Sequence, residues 1–237
     1  MESQFTFKNL YLQYEEVLKN GYKVVTCEQY VRKKKELKTE KILVNRVDID
    51  FSIKKTEPII ELFNELGVKA SFFIRLHAPE YNPMSFENYR IVKKLILSGH
   101  ELGYHSEVID QAAIWNESAE TCLLRDLKVL ESMFDTKVVG VASHGGMTGL
   151  NNLDFWKNRN PADYGLLYEA YDTQPNFNLF HSSFYISDSE WYRWKCYDQG
   201  LLVVGDNRNI AQHCSDGHKL IYALIHPDSY FRNHFYE

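Results

Sequence analysis

Apolar and polar positions along this chain predict strands and helices in turn. Five segments are predicted as strands, most of them apolar runs of the kind that is buried on both faces of a sheet: 41–50, 69–74, 100–105, 138–142 and 219–225. Apolar residues recur at helical spacing in four segments, at 6–20, 56–66, 88–97 and 117–134. The first four strands alternate with helices, which indicates a parallel sheet with crossover helices.

The pattern is weaker beyond Gly149. A short helix is predicted within 150–170, an extended segment at 177–186 and a further strand at 201–204. The sequence contains no internal repeat, linker or low-complexity segment. We therefore expect a single domain over residues 1–237 with an N-terminal helical extension at about 1–40.

Composition narrows the class of protein. A length of 237 residues suits one α/β domain, and a net charge of −5 argues against nucleic-acid binding. The N-terminus lacks the apolar core of a secretory signal and no apolar run reaches transmembrane length, which predicts a cytoplasmic protein without membrane insertion. The four cysteines show no zinc-type spacing, so we expect them to be reduced and incidental. The oligomeric state stays open.

Candidate chemistry lies where the predicted strands end. Parallel sheets place active groups at the carboxyl ends of their strands. Ionisable side chains end four consecutive strands here: Asp48 and Asp50 on the first, Arg75 and His77 after the second, His105 on the third and His144 after the fourth. Each alone has an ordinary structural explanation, such as a solvated strand end or a buried histidine, but four in a row indicate one functional rim.

A metal ion would explain this rim. Two neighbouring carboxylates repel each other unless a cation or a shared proton relieves them. Asp50, His105 and His144 supply one carboxylate and two imidazoles, a donor set that suits zinc or another divalent ion. Asp48 would then be the general base and His226, which follows the last strand, the general acid.

Several motifs of the chain resemble those of the polysaccharide deacetylases of carbohydrate esterase family four, the NodB homology domain. In order they are VDID, ASFF, SGHELGYHSE and LIHP. More narrowly, RVDID, SFFIRLH, YNPMSFENY, GHELGYH, SHGGM and YISDS are similar to a subgroup associated with surface-polysaccharide biosynthesis. The resemblance covers about Val44 to His226. It implies an α/β fold, a distorted (β/α) barrel with fewer than eight strands.

The resemblance also implies an activity, the metal-dependent removal of an acyl group, usually acetyl, from an N-acylated sugar. Asp48 matches the family's base, Asp50 and His105 match metal ligands, and His226 matches the acid. Asp188 either orients His226 or caps a turn. Arg75 and His77 are the candidates for substrate binding, although Arg75, like Arg46, can instead hold the acids by salt bridges.

The chain departs from the family's pattern at one metal ligand. The family commonly has a second metal histidine four residues after the first, where this chain has Ile109, and the usual Arg-x-Pro-Tyr loop is replaced by residues 143–147. We hypothesise that His144 supplies the missing ligand from that loop, with Glu107 or water as the alternatives.

Three functions are compatible with these observations. The first is a metal-dependent deacetylase, with one divalent ion for which zinc is the first expectation, acting on an N-acylated sugar or a sugar-containing biosynthetic intermediate. The second is a related hydrolase of a non-sugar C–N bond, and the third is an inactive sugar-binding homologue, which the loss of histidine at Ile109 favours. Aromatic platforms beside the site would favour a sugar, whereas an arginine clamp would favour a small acid.

Overall fold

The computed structural model describes residues 5–171 and 177–233. Helices and strands alternate along the chain, as the sequence predicts. The helices are α1 (Phe7–Lys19), α2 (Cys27–Lys33), α3 (Thr56–Glu65), α4 (Phe86–Leu97), α5 (Val108–Trp115), α6 (Ala119–Phe134), α7 (Leu179–Ser182) and α8 (Ile210–Ser215). The strands are β1 (Tyr22–Val25), β2 (Lys41–Ile49), β3 (Ser71–Ile74), β4 (Glu101–Ser106), β5 (Gly140–Ser143), β6 (Tyr168–Glu169), β7 (Phe184–Ser187), β8 (Lys195–Asp198), β9 (Leu201–Leu202) and β10 (Leu220–Ile225). Short 3-10 segments lie at Asn152–Trp156, Pro161–Tyr164 and Pro227–Ser229.

One sheet organises the described residues. Its strand order is β6-β5-β4-β3-β2-β10-β7-β8-β9, and β1 pairs with the start of β2. The strands from β6 to β7 in this order are all parallel, whereas β8 and β9 are antiparallel additions at one edge. Among the described residues, the first and last strands of this order do not pair with each other, so the sheet is not closed. The barrel wall is formed by seven parallel strands: β6, β5, β4, β3, β2, β10 and β7. This arrangement confirms the prediction of an α/β barrel with fewer than eight strands.

Local sequence signals begin several helices. The Thr6 hydroxyl accepts a hydrogen bond from the Asn9 amide at the start of α1, and Thr26 and Gln29 form a capping box at α2. Helix α3 begins without such a cap: Thr56 is its first helical residue and Lys55 is the N-cap, without a side-chain hydrogen bond. The Thr56 hydroxyl lies instead 3.5 Å from the Ser52 carbonyl, in the turn that precedes the helix.

Apolar residues pack against both faces of the sheet, in two clusters. The outer core packs helices such as α1, α3, α4 and α6 against the convex face of the barrel wall. The inner cluster fills the barrel and is rich in aromatic rings. Tyr168 of β6 stacks on Phe177 at 4.6 Å between ring centroids, and Phe177 contacts Tyr222 of β10 at 5.6 Å. These contacts join strands far apart in the sheet order, which shows that the wall curves around a filled interior.

A glycine on the inner face makes room for this packing. Gly103 lies in β4 beside Phe73 of β3, and a Cβ atom at this position would collide with the Phe73 ring and approach the Gly140 carbonyl to 3.2 Å. The missing side chain therefore lets an aromatic ring occupy the barrel interior below the carboxyl rim.

The part beyond residue 149 differs most from the sequence prediction. The segment predicted as extended at 177–186 begins with helix α7 and becomes a strand only at Phe184. Helices α5 and α8 and strand β8 were not predicted, because they are short and their apolar periodicity spans too few residues. The single-domain boundaries with an extension at 1–40 stay a prediction, although β1, within that segment, pairs with the central strand β2. Within the described residues, no helix is long and apolar enough to cross a membrane.

Candidate metal centre and active site

The carboxyl ends of the barrel strands bring the predicted metal ligands together. Asp50 follows β2, His105 lies in β4 and His144 follows β5. One potential ligand atom from each of these three residues lies within 4.8 Å of the others. Because β2, β3, β4 and β5 are neighbouring parallel strands, residues distant in sequence meet at one rim. This group is called the rim cluster below.

His105 is held in an orientation suited to a ligand. Its Nδ1 atom lies 2.8 Å from the Ala142 carbonyl oxygen, so Nδ1–H donates there and Nε2 is the nitrogen left to face the rim. Nε2 lies 3.2 Å from Asp50 Oδ1 and 3.3 Å from Asp48 Oδ2. The ring is only 3% exposed. A buried imidazole thus directs its free nitrogen at two carboxylates.

Asp50 has a buried oxygen without a hydrogen bond. Within the described part of the chain, its Oδ1 atom is inaccessible to solvent and has no hydrogen-bond partner. Burial by itself would raise the pKa of Asp50, but His105, His226 and His144 outweigh it, and the pKa is lowered. An ionised, buried and unpaired oxygen facing imidazole nitrogens is what a cation site requires. The residues present therefore fit a divalent metal ion.

Asp48 is held by a buried arginine. Arg46 Nε donates to Oδ1 at 2.8 Å and Nη2 donates to Oδ2 at 2.6 Å. The guanidinium is itself fixed by the Tyr222 hydroxyl at 3.2 Å and by the face of Tyr171 at 4.5 Å. Burial would raise the pKa of Asp48, but the charge of Arg46 and then that of His105 lower it below its usual value. Arg46 therefore holds the acid, as one of the two sequence interpretations proposes.

The loop that carries His144 is anchored to the start of α5. Asp110 accepts hydrogen bonds from the Met147 and Thr148 amides at 3.0 and 2.9 Å. The Asn152 side chain joins the same network, donating to Asp110 Oδ2 at 2.7 Å and to the His144 carbonyl at 3.2 Å. Sequence reasoning missed both anchors, because their partners lie 37 to 42 residues away and no local motif marks them.

Glu107 joins His144 to Arg75. Its Oε1 atom lies 3.2 Å from His144 Nδ1, an ion-pair distance, although the angle is not that of a hydrogen bond. Arg75 donates to the same oxygen from Nε at 3.1 Å and Nη2 at 2.8 Å, and from Nη1 to the Asp50 carbonyl at 2.8 Å. Burial would raise the pKa of Glu107, but His144 and Arg75 lower it. Arg75 is 2% exposed and ties two parts of the rim together.

His226 faces the rim cluster from β10. Its Nδ1 atom lies 2.6 Å from Asp188 Oδ1 and its backbone N–H donates to Asp188 Oδ2 at 2.9 Å. Its Nε2 atom lies 3.8 Å from Asp50 Oδ2. Burial would lower the pKa of His226, but Asp188 and then Asp50 raise it to about 9. Of the two alternatives for Asp188, the structure therefore supports the one in which it orients His226.

His77 lies apart from the other predicted residues. Its Nε2 atom is 3.0 Å from Asp126 of α6, and its ring contacts Trp115 of α5 at 4.9 Å. Asp126 also accepts from the Tyr104 hydroxyl at 2.5 Å on the outer side of the sheet. On a strand, residues two apart face the same side, but Arg75 and His77 both lie beyond the end of β3, where the chain brings Arg75 to the rim and His77 to the helices.

Two exposed aromatic rings lie beside His226 and were not predicted. The Trp191 ring lies 5.7 Å from the His226 ring, and Phe51 lies 5.5 Å from Trp191. Trp191 is 41% exposed and Phe51 43% exposed. Trp191 also has a positive φ of 65°, an unusual backbone conformation for a bulky residue. The only sequence signal was the high aromatic content, which does not distinguish a surface platform from a core.

Comparisons with solved structures show a related fold. A Streptococcus mutans CE4 esterase matches with a TM-score of 0.52 and 14% identity, over 86% of this chain and 80% of that chain. Weaker likenesses, with TM-scores of 0.43 and 0.44, are to the catalytic domain of a peptidoglycan N-acetylglucosamine deacetylase from Eubacterium rectale (14% identity, 79% of this chain and 76% of that) and to a CE4 family pseudoenzyme from Bacillus anthracis (15%, 79% and 55%). No family model and no curated protein sequence matches the chain. At these identities the likeness concerns the fold alone, and the chain has the fold of the CE4 esterase.

Proposed function

We propose that this protein is a metal-dependent deacetylase of the CE4 type that removes an acyl group, acetyl in the first instance, from an N-acylated sugar. The observation that carries the proposal is the rim cluster, in which the unpaired Oδ1 of Asp50 faces the free nitrogen of His105 at 3.2 Å. The fold of the CE4 esterase and the motif resemblance support the same chemistry.

Asp50, His105 and His144 would hold the metal ion. With Nδ1 of His144 directed at Glu107, Nε2 is the nitrogen left for an ion. One carboxylate and two imidazoles suit zinc, among other divalent ions. When bound, such an ion supplies a Lewis acid that polarises an amide carbonyl and lowers the pKa of water. His144 thus takes the place of the histidine absent at Ile109, whose side chain packs against the outer core.

Asp48 would act as the general base. It borders the rim cluster, because its Oδ2 atom lies 3.3 Å from His105 Nε2. The two hydrogen bonds from Arg46 fix the position of both carboxylate oxygens and keep the group ionised. An ionised oxygen in a fixed place can accept a proton from a water molecule that attacks the acyl carbon.

His226 would act as the general acid. Asp188 holds Nδ1 and the backbone N–H of this residue, which leaves Nε2 directed toward the rim cluster. Nε2–H can donate its proton to the amine that leaves when the C–N bond breaks. The two candidate proton-transfer groups, Asp48 and His226, come from neighbouring strands, β2 and β10. The acid and the base therefore approach the rim from adjoining positions.

The surroundings of the site favour a sugar over a small acid. Trp191 exposes its ring next to His226, and Phe51 exposes its ring next to Trp191. Exposed aromatic faces can stack on the apolar face of a sugar ring. Both arginines of the rim are instead engaged by protein carboxylates, Arg46 by Asp48 and Arg75 by Glu107. An arginine engaged in this way is not available to clamp a substrate carboxylate. Of the two residues predicted to bind substrate, Arg75 is engaged by Glu107, and His77 lies beside Asp126 and Trp115 instead of at the rim.

Acetate release from an N-acetylhexosamine oligomer tests the proposal, measured beside the metal content of the same preparations. We expect metal-dependent release by the wild-type protein. Asp50→Ala and His105→Ala should each lose one equivalent of metal together with the activity. Asp163→Ala and His181→Ala, which change exposed residues of the same types, serve as matched controls and should keep both.

Two outcomes would contradict the proposal in different ways. Metal binding at the rim without acetate release, while the oligomer still binds, would identify an inactive sugar-binding homologue. Release of formate or opening of a cyclic amide, without action on any N-acetylated sugar, would identify a hydrolase of non-sugar C–N bonds. The biosynthetic context, the zinc identity and the cytoplasmic location stay predictions from the sequence.

A further inference from the structure

A second group of metal-ligating side chains lies outside the rim, at the antiparallel edge of the sheet. Cys196 comes from β8, Asp206 from the loop after β9, and His213 from α8. One potential ligand atom from each lies within 4.8 Å of the others. Cys196 and His213 are fully buried, whereas Asp206 is half-buried. This group is called the edge cluster below.

Two distances in the edge cluster match edges of a tetrahedral metal site. His213 Nε2 lies 3.5 Å from Cys196 Sγ and 3.4 Å from Asp206 Oδ2. Zinc bonds of about 2.3 Å to sulfur and about 2.0 to 2.1 Å to nitrogen or oxygen, at tetrahedral angles, place S and N roughly 3.6 Å apart and N and O roughly 3.3 Å apart. A direct charged hydrogen bond between imidazole and carboxylate would instead be near 2.8 Å.

His213 is fixed in place and keeps a buried nitrogen without a hydrogen bond. Its ring packs on Phe184 at 4.2 Å between centroids. Within the described residues, its Nδ1 atom is buried and has no hydrogen-bond partner, and the nearest carboxylate oxygen, on Asp216, is 3.9 Å away. Coordination through Nε2 would put the ring proton on Nδ1, toward Asp216, as in carboxylate–histidine–metal arrangements.

Asp206 is oriented by Arg208 and still has capacity for a metal. The backbone N–H and Nε of Arg208 donate to Oδ1 at 3.0 and 3.1 Å, and Nη2 donates to Oδ2 at 2.8 Å. Oδ2 keeps a second lone pair, and it is the oxygen that faces His213. Asp206 also lines a surface cleft of about 610 Å³, together with Arg208 and Gln212.

We propose that Cys196, Asp206 and His213 form a second, structural metal site for zinc or a similar ion that accepts a thiolate ligand. Binding replaces the S–H bond of Cys196 by a metal–sulfur bond and releases the proton to solvent. The thiolate would supply one negative charge to the ion, and the Asp206 carboxylate, which also pairs with Arg208, would supply a second. The site joins β8, the loop after β9 and α8, and so fastens the antiparallel edge of the sheet. It does not depend on the proposed deacetylase function.

Cobalt substitution tests this site separately from the rim. Thiolate coordination to Co²⁺ gives a charge-transfer band in the near ultraviolet, and the ligands proposed at the rim include no cysteine. Metal-stripped protein, kept reduced, would be titrated with Co²⁺. We expect a charge-transfer band that saturates at one equivalent, with a second equivalent contributing only weak visible bands. Zinc should displace the cobalt and remove the ultraviolet band.

Variants assign the band to particular residues. Cys196→Ser should remove it and leave the visible bands of the rim, whereas His213→Asn and Asp206→Asn should weaken cobalt binding at least tenfold. Cys214→Ser is the matched control, because Cys214 is also a buried thiol and follows His213 directly, and it should keep the band. A wild-type protein that binds cobalt at the rim without any charge-transfer band would overturn the proposal, whether or not the variants fold. A band that survives Cys196→Ser would do the same.

Discussion

Buried charged side chains at the rim are held in place by ion pairs and hydrogen bonds with other rim residues. Glu107 is an example: it lies 3.2 Å from His144 Nδ1 and accepts two hydrogen bonds from Arg75, which also donates to the Asp50 carbonyl. Residues that hold a ligand through its second nitrogen typically change metal affinity when they are altered. Glu107 is therefore a positioning residue for the proposed ligand His144.

Glu107→Gln should weaken metal binding at the rim by about 10- to 100-fold, because the neutral amide loses the charge that holds His144 and Arg75. The measurement is a competition titration with a chromophoric chelator, made in a Cys196→Ser background so that only the rim binds metal. Glu80→Gln is the matched control: Glu80 also lies near Arg75, at 3.4 Å, but on the exposed side of it. Equal affinity of Glu107→Gln and Glu80→Gln would show that Glu107 does not position the ligand.

His100 makes stability depend on pH at a site away from the rim. It is 5% exposed and its Nδ1 atom accepts a hydrogen bond from the Ala70 amide at 3.2 Å. Burial, followed by the charge of Lys69, lowers the pKa of His100 to about 4. The unfolded chain takes up a proton near pH 6.5 and the folded chain only near pH 4. The stability that His100 contributes is therefore complete above about pH 6.5 and is lost as the pH falls toward about 4.

His100→Gln should remove this dependence. Glu169 changes the unfolding free energy in the opposite direction over the same pH range. Burial raises the pKa of Glu169 to about 7, so the folded state gains stability as the pH falls. The informative quantity is thus the difference in unfolding free energy between wild type and His100→Gln, followed from pH 7 to pH 4.5 by urea denaturation. We expect this difference to shrink by roughly 2 to 3 kcal/mol at the lower pH. A difference that is constant with pH would mean that His100 is not kept neutral by the fold.

At the scale of elements, strands were predicted best where both faces are buried. Strand β2 has eight buried residues after Lys41, and its apolar run identified it directly. Strand β8 was missed because only one of its four residues, Cys196, is buried and it pairs only with β7 and β9 at the edge. The rim residues Asp50, His105 and His144 were predicted together because parallel strands end on one side. Asp110 and Asn152, which anchor the His144 loop, and Trp191, which contacts His226, were not predicted, because tertiary contacts alone bring them to the rim.

Gly103→Ala tests the packing between β4 and β3. A methyl group at this position would collide with the Phe73 ring, which the inner cluster holds from several sides. Overpacking of this kind typically costs about 1 to 3 kcal/mol of unfolding free energy. Urea denaturation should show that loss for Gly103→Ala. Gly145→Ala, where no atom lies within 4 Å of the added Cβ, should change the free energy little. Equal effects of the two substitutions would contradict close packing at Gly103.

For the whole molecule, the two proposed metal sites lie at different ends of the sheet order and stabilise different parts. The rim cluster joins β2, β4 and the loop after β5, whereas the edge cluster joins β8 to α8. An ion that binds only the folded chain stabilises it by RT ln(1 + [L]/Kd), about 2.7 kcal/mol at a hundredfold excess over Kd. Two such sites should therefore raise the unfolding temperature by separable amounts.

Each variant should lose one of these contributions. With zinc at about a hundredfold excess over Kd, each occupied site should raise Tm by roughly 5 to 10 °C for a chain of this size. Asp50→Ala should keep the increase in Tm that comes from zinc at the edge cluster, and Cys196→Ser should keep the increase that comes from zinc at the rim cluster. The Tm of the double variant should not respond to zinc. Because the sites share no ligand, their effects should add. A zinc response that survives in the double variant would place the stabilising ion elsewhere, while one lost entirely in Asp50→Ala would leave the rim as the only site that stabilises the fold.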